Sequence, residues 1–233
     1  MIVSLTIVRY RKRFIPMALL AMGMFRTKLH SQQGCTFFKL LGSSKAGTFQ
    51  FKPDWCKWAL LAVWNDRMDF DDFYSQSYIS KWWDRFTTER WTILMEPLQS
   101  RGTWDGVEPF GKTNRNDYNG LIVVLTRATI SHKKIRRFWA HVADVEEAMR
   151  KSDGYLMSLG IGELYHLAAT FSVWRDKDSM QAFAYQRPQH VDVIKKTRDE
   201  HWHKEDLFAR FKPLESFGTI DGADPLSDII KFD

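Results

Sequence analysis

The sequence has 233 residues and a formal net charge of +6, which suits one large domain or two small ones. Its 44% hydrophobic and 27% charged residues are typical of folded globular proteins and exclude an intrinsically disordered chain. The positive charge is mild and includes no long basic run interleaved with aromatic residues, so we expect no nucleic-acid partner.

The first half of the sequence predicts the element order β-α-β-β-α-β, which is that of a ferredoxin-like unit. β-Branched residues alternate along its first strand, and Pro16 is tolerated because it lies in the first turn of the helix that follows. The predicted strands are 2–10, 36–41, 58–64 and 91–98, and the predicted helices are 14–25 and 69–86.

The second half predicts the same order again. The predicted strands are 121–130, 155–159, 168–174 and 207–214, and the predicted helices are 133–151 and 180–203. Asp178 or Ser179 is expected to cap the second of these helices, and Pro188 to interrupt it. The segment Gly160-Ile161-Gly162 lacks the third glycine of a nucleotide-binding loop, and we interpret it as a turn.

A repeated pattern supports a duplication. Trp64 and Trp174, Asp66 and Asp176, and Phe73 and Phe183 are separated by the same interval of 110 residues (174−64). A constant interval across a strand, a turn and a helix start indicates a repeated structural unit. At this interval, His190 of the second half falls opposite Ser80 of the first half.

The element order also predicts the domain boundaries. We expect an α+β fold of two tandem ferredoxin-like (βαββαβ) repeats, which form the pseudo-dimer of a dimeric α+β barrel. The repeats are predicted at 1–100 and 121–217, joined by a linker at 101–120 that is rich in Gly, Asn and Asp, and followed by a tail at 218–233.

Among the seven histidines, His190 stands out as a candidate metal ligand. It follows Phe183, Tyr185 and Pro188 in the interrupted helix and precedes an apolar face. Neutral imidazole is a good ligand for iron. The alternative is a histidine in the core or at a helix end, bonded to a backbone carbonyl group. His201 and His203 form only a weak metal pair, because residues two apart do not share a helix face.

Short segments along almost the whole chain resemble the spheroidene monooxygenase family of carotenoid-oxidising enzymes. Their order and spacing make the resemblance specific. The segments are ALLAMGMF at 18–25, FFKLLG at 37–42, WALLAVW at 58–64, RGTW at 101–104, LTRATI at 125–130, LGIGE at 159–163, TFSVWRD at 170–176, FAY at 183–185 and EDLFARF at 205–211.

The resemblance implies a haem-dependent monooxygenase that oxidises acyclic carotenoids near a chain end, first to hydroxy and then to keto products. It implies haem b as the iron cofactor and an external electron donor such as ferredoxin, since the chain has no flavin or Fe–S motif. The implied site residues are His190 on the iron, Phe183, Tyr185 and Trp202 against the porphyrin, and Arg127 and Arg198 on its propionates.

Two other functions remain open at this stage. The same fold can carry a haem enzyme with dehydratase or peroxidase-like chemistry on a small substrate, and it can carry a haem carrier or sensor without catalysis. Cys35 and His166 are the alternative iron ligands.

The remaining sequence features concern location and partners. Cys35 and Cys56 have neither a disulfide-framework nor a metal-ligand spacing, which favours the cytoplasm. The apolar stretch 14–25 has basic flanks and is too short to span a bilayer. We expect a buried helix or one that grazes the inner membrane peripherally. A small apolar substrate and an electron-transfer protein are the expected partners, and a homo-oligomer is compatible with the fold.

Overall fold

The computed structural model describes residues 1–44, 53–115, 117–130, 144–163, 167–186 and 203–230. Its strands are β1 (Ile2–Tyr10), β2 (Cys35–Ser44), β3 (Pro53–Trp64), β4 (Thr87–Gly102), β5 (Ile122–Ile130), β6 (Tyr155–Gly162), β7 (Leu167–Trp174) and β8 (His203–Gly218). Its helices are α1 (Ile15–His30), α2 (Arg67–Gln76), α3 (Tyr78–Phe86), α4 (144–150) and α5 (Lys177–Gln186). A short 3₁₀ turn, Lys12–Phe14, precedes α1.

The chain divides into two compact units. The first unit takes its residues from Met1–Ser43, Asp54–Pro97 and Pro213–Asp233, and the second takes them from Ser44–Pro53 and Leu98–Lys212. The long strands β4 and β8 therefore each contribute residues to both units.

In the first unit, the strand order is β4-β1-β3-β2, and β1 runs antiparallel to both of its neighbours. Helices α1, α2 and α3 pack their apolar sides into one core, because their buried residues recur at three- and four-residue intervals. The helix residues of this core are Ala18, Ala21, Phe25, Leu29, Phe70, Phe73, Ile79 and Trp83.

The second unit repeats the strand order as β8-β5-β7-β6, again with β5 antiparallel to both neighbours. Even the register repeats, since Ile2 faces Trp64 and Ile122 faces Trp174. The predicted α+β class, built from two ferredoxin-like repeats of the dimeric α+β barrel type, is confirmed.

The residues that revealed the repeat play matching parts in the two units. The ring centroids of Trp64 and Phe73 are 4.8 Å apart, and those of Trp174 and Phe183 are 5.2 Å apart. In each unit the tryptophan Nε1 donates a hydrogen bond to a serine hydroxyl, at 2.9 Å to Ser4 in the first and at 3.0 Å to Ser172 in the second.

Three sequence predictions within these repeats are wrong. The helix predicted at 69–86 is two helices, because the Ser77 side chain accepts a hydrogen bond from the backbone N–H of Ser80 and caps α3. Helix α5 is capped by Asp176 rather than by Asp178 or Ser179; its carboxylate accepts from the backbone N–H of Ser179 at 2.7 Å. The segment Gly160-Ile161-Gly162 is not a turn but the last part of β6, paired with β7.

Both long strands end in the same tight turn. After β4 the chain reads Gly102-Thr103-Trp104-Asp105-Gly106, and after β8 it reads Gly218-Thr219-Ile220-Asp221-Gly222. Asp105 and Asp221 have φ values of 52° and 57°, and the glycines that follow them have 77° and 91°. Two successive residues with positive φ are typical of a type I′ turn, for which Asp-Gly is a preferred pair.

The glycine that opens each turn is required by a close backbone approach. The N–H of Thr219 donates to the backbone oxygen of Arg90 at 3.0 Å, and the N–H of Thr103 donates to that of Asp206 at the same distance. A β-carbon on Gly218 would overlap the oxygen of Arg90, and one on Gly102 would overlap that of Asp206. Both glycines also have φ above +80°, a region that only glycine adopts cheaply.

We therefore expect Gly218→Ala to lower the free energy of unfolding by about 2 kcal/mol, through backbone strain and overlap. Gly23→Ala is the matched control, because a β-carbon at Gly23, within α1, meets no atom within 4 Å. That change should leave stability unchanged or raise it by up to about 1 kcal/mol. Urea titrations of both variants measure the difference, and equal midpoints would contradict the strained turn.

Candidate functional site

The sequence predicts its candidate site on the side of the second unit's strands that packs against α4 and α5. Phe183 projects from α5, is buried, and stacks on Trp174 with an interplanar angle of 28°. The surrounding wall is apolar and consists of Leu98, Ile122, Val124, Met149 and Met180, with Tyr155 and Phe208 packed at its margin. These residues are apolar, as the contacts of a flat apolar group must be, but they pack against one another in a core and Trp174 occupies one side of Phe183.

Most of the predicted ligand set lies outside the described residues. This applies to His190, Arg198 and Trp202, to the alternative ligand His166, and to the side chain of Tyr185. Their roles at a haem stay predictions.

The structure does not place Arg127 where a propionate partner beside Phe183 would be expected. Alternation along β5 places its side chain on the opposite face of the strand from Ile122 and Val124, which pack near Phe183. Arg127 is 2% exposed. The structure therefore does not bring Arg127 and Phe183 together on one face of the sheet.

The buried Arg127 guanidinium is held by a cluster of side chains from the second unit. It forms an ion pair with Glu205 at the start of β8, and a second, longer one with Asp105 at 3.6 Å. Its Cζ atom also lies 5.5 Å from the ring centroid of Trp104. The Trp104 Nε1 in turn donates to the carboxylate of Glu163 at 2.8 Å.

Glu205 is the centre of this cluster. Besides its contact with Arg127, it accepts hydrogen bonds at 2.8 Å from the Thr103 hydroxyl and, also at 2.8 Å, from the backbone N–H of Gly106. Burial alone would raise the pKa of the Glu205 carboxyl, but these hydrogen bonds and the Arg127 charge outweigh it and lower the pKa to about 2. Glu205 is therefore ionised at neutral pH, and its carboxylate connects the Asp105-Gly106 turn to Arg127 on β5.

The first unit contains a counterpart of this cluster. Glu89 accepts from the Arg9 Nε at 2.7 Å and from the backbone N–H of Gly222 at 2.6 Å. Asp221 pairs with Arg9 and with the buried Lys57, whose Nζ lies 2.5 Å from its carboxylate. Since both units use a glutamate and an arginine on the same turn, the arrangement is explained by the fold rather than by a reaction.

Sequence reasoning missed Glu205 and Asp105 as partners of Arg127, and Glu163 as the partner of Trp104. The signal that was available is a second repeat, since Glu89 and Glu205 are separated by the same 116 residues (205−89) as Gly102 and Gly218. Four of the resemblance segments, 101–104, 125–130, 159–163 and 205–211, contribute residues to this one cluster.

In the first unit, the residue that corresponds to His190 at the 110-residue interval is Ser80, and it belongs to the packed interior. Ser80 is buried, and its hydroxyl donates to the backbone oxygen of Tyr74 and accepts from an Arg90 guanidinium nitrogen at 2.7 Å. The Arg90 Cζ atom lies 4.2 Å from the centre of the Tyr74 ring. Ser80 is therefore engaged in holding Arg90 and the end of α2.

A crevice in the first unit is too small for a large ligand. It lies between α1 and the sheet and has a volume of about 10 Å³, which is room for roughly one water molecule. Its lining is apolar except for Tyr10, whose burial raises the pKa of the phenol. Neither a porphyrin nor a polyene fits there without displacing α1.

Cys35 is poorly suited to act as a thiolate ligand in this structure. Burial raises the pKa of its thiol to about 12, and the S–H group donates to the backbone oxygen of Phe37. Only the thiolate binds metals well. Within the described ranges, no group of three or more His, Cys, Asp or Glu side chains is arranged to hold a metal ion.

Comparison with solved structures identifies proteins that share the fold of this chain. An aldoxime dehydratase superposes with a TM-score of 0.63 at 11% identity, over 97% of this chain and 85% of that one. A second aldoxime dehydratase, in complex with butyraldoxime, gives a TM-score of 0.60 at 11% identity, over 97% and 83%. At this identity the likeness shows a shared α+β architecture alone.

Sequence comparison identifies the family. The spheroidene monooxygenase of Rhodobacter capsulatus is 34% identical over 217 residues, which cover 91% of this chain and 90% of that protein. The enzyme of the same name from Cereibacter sphaeroides is also 34% identical, over 87% of this chain but only 63% of its own length. A third, from Rubrivivax gelatinosus, is 29% identical over 82% and 73%. No family model matches the chain. The chain belongs to the spheroidene monooxygenase family.

The Glu205 cluster predicts a specific acid sensitivity. In the unfolded chain the Glu205 carboxyl titrates near 4.5, whereas in the folded protein its pKa is about 2. Because the folded pKa is depressed, the stabilisation is fully present above pH 4.5 and is lost as the pH falls towards 2. Glu205→Gln should remove this component, and should lower stability at pH 7 by about 3 kcal/mol because it leaves the buried Arg127 charge with only the longer ion pair to Asp105.

The matched control is Glu89→Gln in the first unit. Its partner Arg9 has a 28% exposed side chain, against 2% for Arg127, so water can solvate the charge that is left behind. Urea titrations between pH 7 and pH 3 measure both variants. Equal losses at the two positions would contradict the assignment of Glu205 to a buried ion pair.

Proposed function

We propose that this protein is a haem-dependent monooxygenase that inserts oxygen into an acyclic carotenoid or a similar long apolar molecule. The observation that carries the proposal is the 34% identity to the spheroidene monooxygenase of Rhodobacter capsulatus over 91% of this chain and 90% of that protein. The products would be a hydroxylated and then a ketone-bearing carotenoid.

The cofactor of the proposal is haem b, on the helix-facing side of the second unit's strands. The apolar wall around Trp174, Phe183 and Met180 is compatible with a porphyrin face. His190 is the proposed iron ligand, Arg198 a proposed propionate partner, and Tyr185 and Trp202 the proposed aromatic contacts. Arg127 remains a proposed propionate partner too, but it would have to leave Glu205 to act as one.

Bound haem would supply the activation of dioxygen. The chain's own residues would bind the polyene, orient one end of it, and exclude water from the reacting carbon. In the overall reaction, one oxygen atom enters a C–H bond and the other leaves as water, with a pair of electrons from a separate donor and a pair of protons. An electron-transfer protein such as ferredoxin is the proposed donor.

The first test is haem binding. We expect purified wild-type protein, reconstituted with haem, to show a Soret band that shifts when the reduced protein binds carbon monoxide. His190→Ala should lose most of the bound haem while its far-UV circular dichroism stays that of the wild type. Cys35→Ser should keep full loading, because a thiol with a pKa of about 12 is a poor donor.

The same spectra separate the alternatives. Unchanged loading in His190→Ala would overturn the ligand assignment, and loss of haem in Cys35→Ser would assign the ligand to the thiolate. A haem that binds no carbon monoxide would favour a carrier or sensor with two strong axial ligands. Absence of haem after reconstitution would overturn the haem-dependent mechanism.

The second test is turnover. Haem-loaded protein, an acyclic carotenoid, reduced ferredoxin and ¹⁸O₂ should give a product that carries the label in a hydroxyl or keto group. The matched control is His190→Ala under the same conditions, and it should give no labelled product. Label in the product of the variant, or none in that of the wild type, would contradict the proposal.

A further inference from the structure

Helix α1 is apolar on the side that faces away from its own unit. Its inward residues, Ala18, Ala21, Phe25 and Leu29, are buried in the first core. Its outward residues include Leu19 and Leu20, whose exposed fractions are 49% and 55%. A soluble surface helix normally carries charged or polar residues on this side.

The outward side is also open. Pro16 and Gly23 are exposed on it, and a β-carbon built at Gly23 would meet no atom within 4 Å. Within the part of the chain that the structure describes, no helix combines the length and apolarity needed to cross a membrane.

The apolar strip of α1 lies between two groups of exposed cations. Arg11, Lys12 and Arg13 precede it, and Arg26 and Lys28 follow it. Between residues 11 and 30 the sequence contains neither aspartate nor glutamate. Two of these cations lie over aromatic rings, with the Arg13 Cζ 4.8 Å from the ring centroid of Phe14 and the Lys28 Nζ 5.5 Å from that of Tyr78.

We propose that α1 is a docking surface for an anionic lipid membrane, on which the helix lies parallel to the surface. Leu19 and Leu20 enter the boundary between headgroups and acyl chains, and the flanking arginines and lysines contact lipid phosphates. A helix with an apolar side, basic residues and no acidic residue matches an interface that is both apolar and negative. A second copy of this chain would match it less well, because it would bring the same cations against each other.

This inference does not rest on bound haem or on the oxygenation reaction, so it is tested with the protein alone. The experiment is flotation of the full chain with vesicles of equal parts phosphatidylcholine and phosphatidylglycerol, and with vesicles of phosphatidylcholine alone. We expect binding to the anionic vesicles, at least about tenfold weaker binding to the neutral ones, and a decline with rising salt.

Two variants separate the apolar and the electrostatic contributions. Leu19→Ser/Leu20→Ser should weaken binding to anionic vesicles about tenfold or more. Arg11→Gln/Lys12→Gln/Arg13→Gln should weaken it by a similar factor and flatten the salt dependence. Met68→Ser is the matched control, because it replaces an apolar side chain that is 73% exposed on a different helix, α2, and it should bind like the wild type.

Several results would overturn the proposal. These are equal binding to both kinds of vesicle, no binding to either, or unchanged binding in the two α1 variants. Sedimentation of the lipid-free protein tests the second copy as occupant. A dimer that Leu19→Ser/Leu20→Ser dissociates, without a loss of vesicle binding, would assign the surface to self-association.

Discussion

The buried charge of Arg127 is the constraint that organises the second unit. A guanidinium that is 2% exposed is costly unless a carboxylate neutralises it. Glu205 supplies that carboxylate, and the same group accepts from Thr103 and from the backbone of Gly106. The ion pair thus determines where β8 begins relative to β5 and where the chain turns after β4. Trp104 covers the guanidinium and reaches the carboxylate of Glu163 beyond the end of β6.

A comparison of the two units distinguishes the features that the fold requires from the features that only one unit has. Both units have the tryptophan–phenylalanine pair, the aspartate cap and the glutamate that holds an Asp-Gly turn. These features are explained by the architecture, because a feature required by one unit's chemistry would not be needed in both. By comparison, Ser80 and His190 mark a position at which the two units differ in sequence. In the first unit Ser80 is engaged with Tyr74 and Arg90, whereas the role of His190 as a ligand in the second unit stays a proposal.

Much of this fold could be predicted from the sequence, because local patterns determine it. Alternating β-branched residues defined the strands, and the repeated tryptophan, aspartate and phenylalanine defined the duplication. The errors arose where a local signal competed with tertiary structure. Two glycines near the end of β6 suggested a turn, but pairing with β7 keeps that segment extended. An uninterrupted helical pattern hid the break at Ser77, which depends on a single side-chain hydrogen bond.

The candidate site was harder to predict, for a physical reason that Arg127 illustrates. Residue type alone suggested a partner for a ligand carboxylate, and a buried arginine does need such a partner. The sequence could not show that the protein supplies the carboxylate itself, since Glu205 lies far along the chain and approaches only through strand pairing. Period-two alternation on β5 could have shown that Arg127 and Val124 face opposite ways, once the register was known.

This geometry has a consequence for how substitutions in the family are interpreted. On the proposed function, loss of Arg127 or Glu205 would lower haem retention and activity in an assay of the whole protein, because a destabilised second unit would hold a ligand less well. Such a loss would imitate the removal of a propionate partner. The two causes differ in their dependence on pH, since only the ion pair responds to the protonation of Glu205 between pH 4.5 and 2. A residue that contacts only the cofactor would change haem loading at neutral pH and leave the unfolding of the haem-free protein as it was.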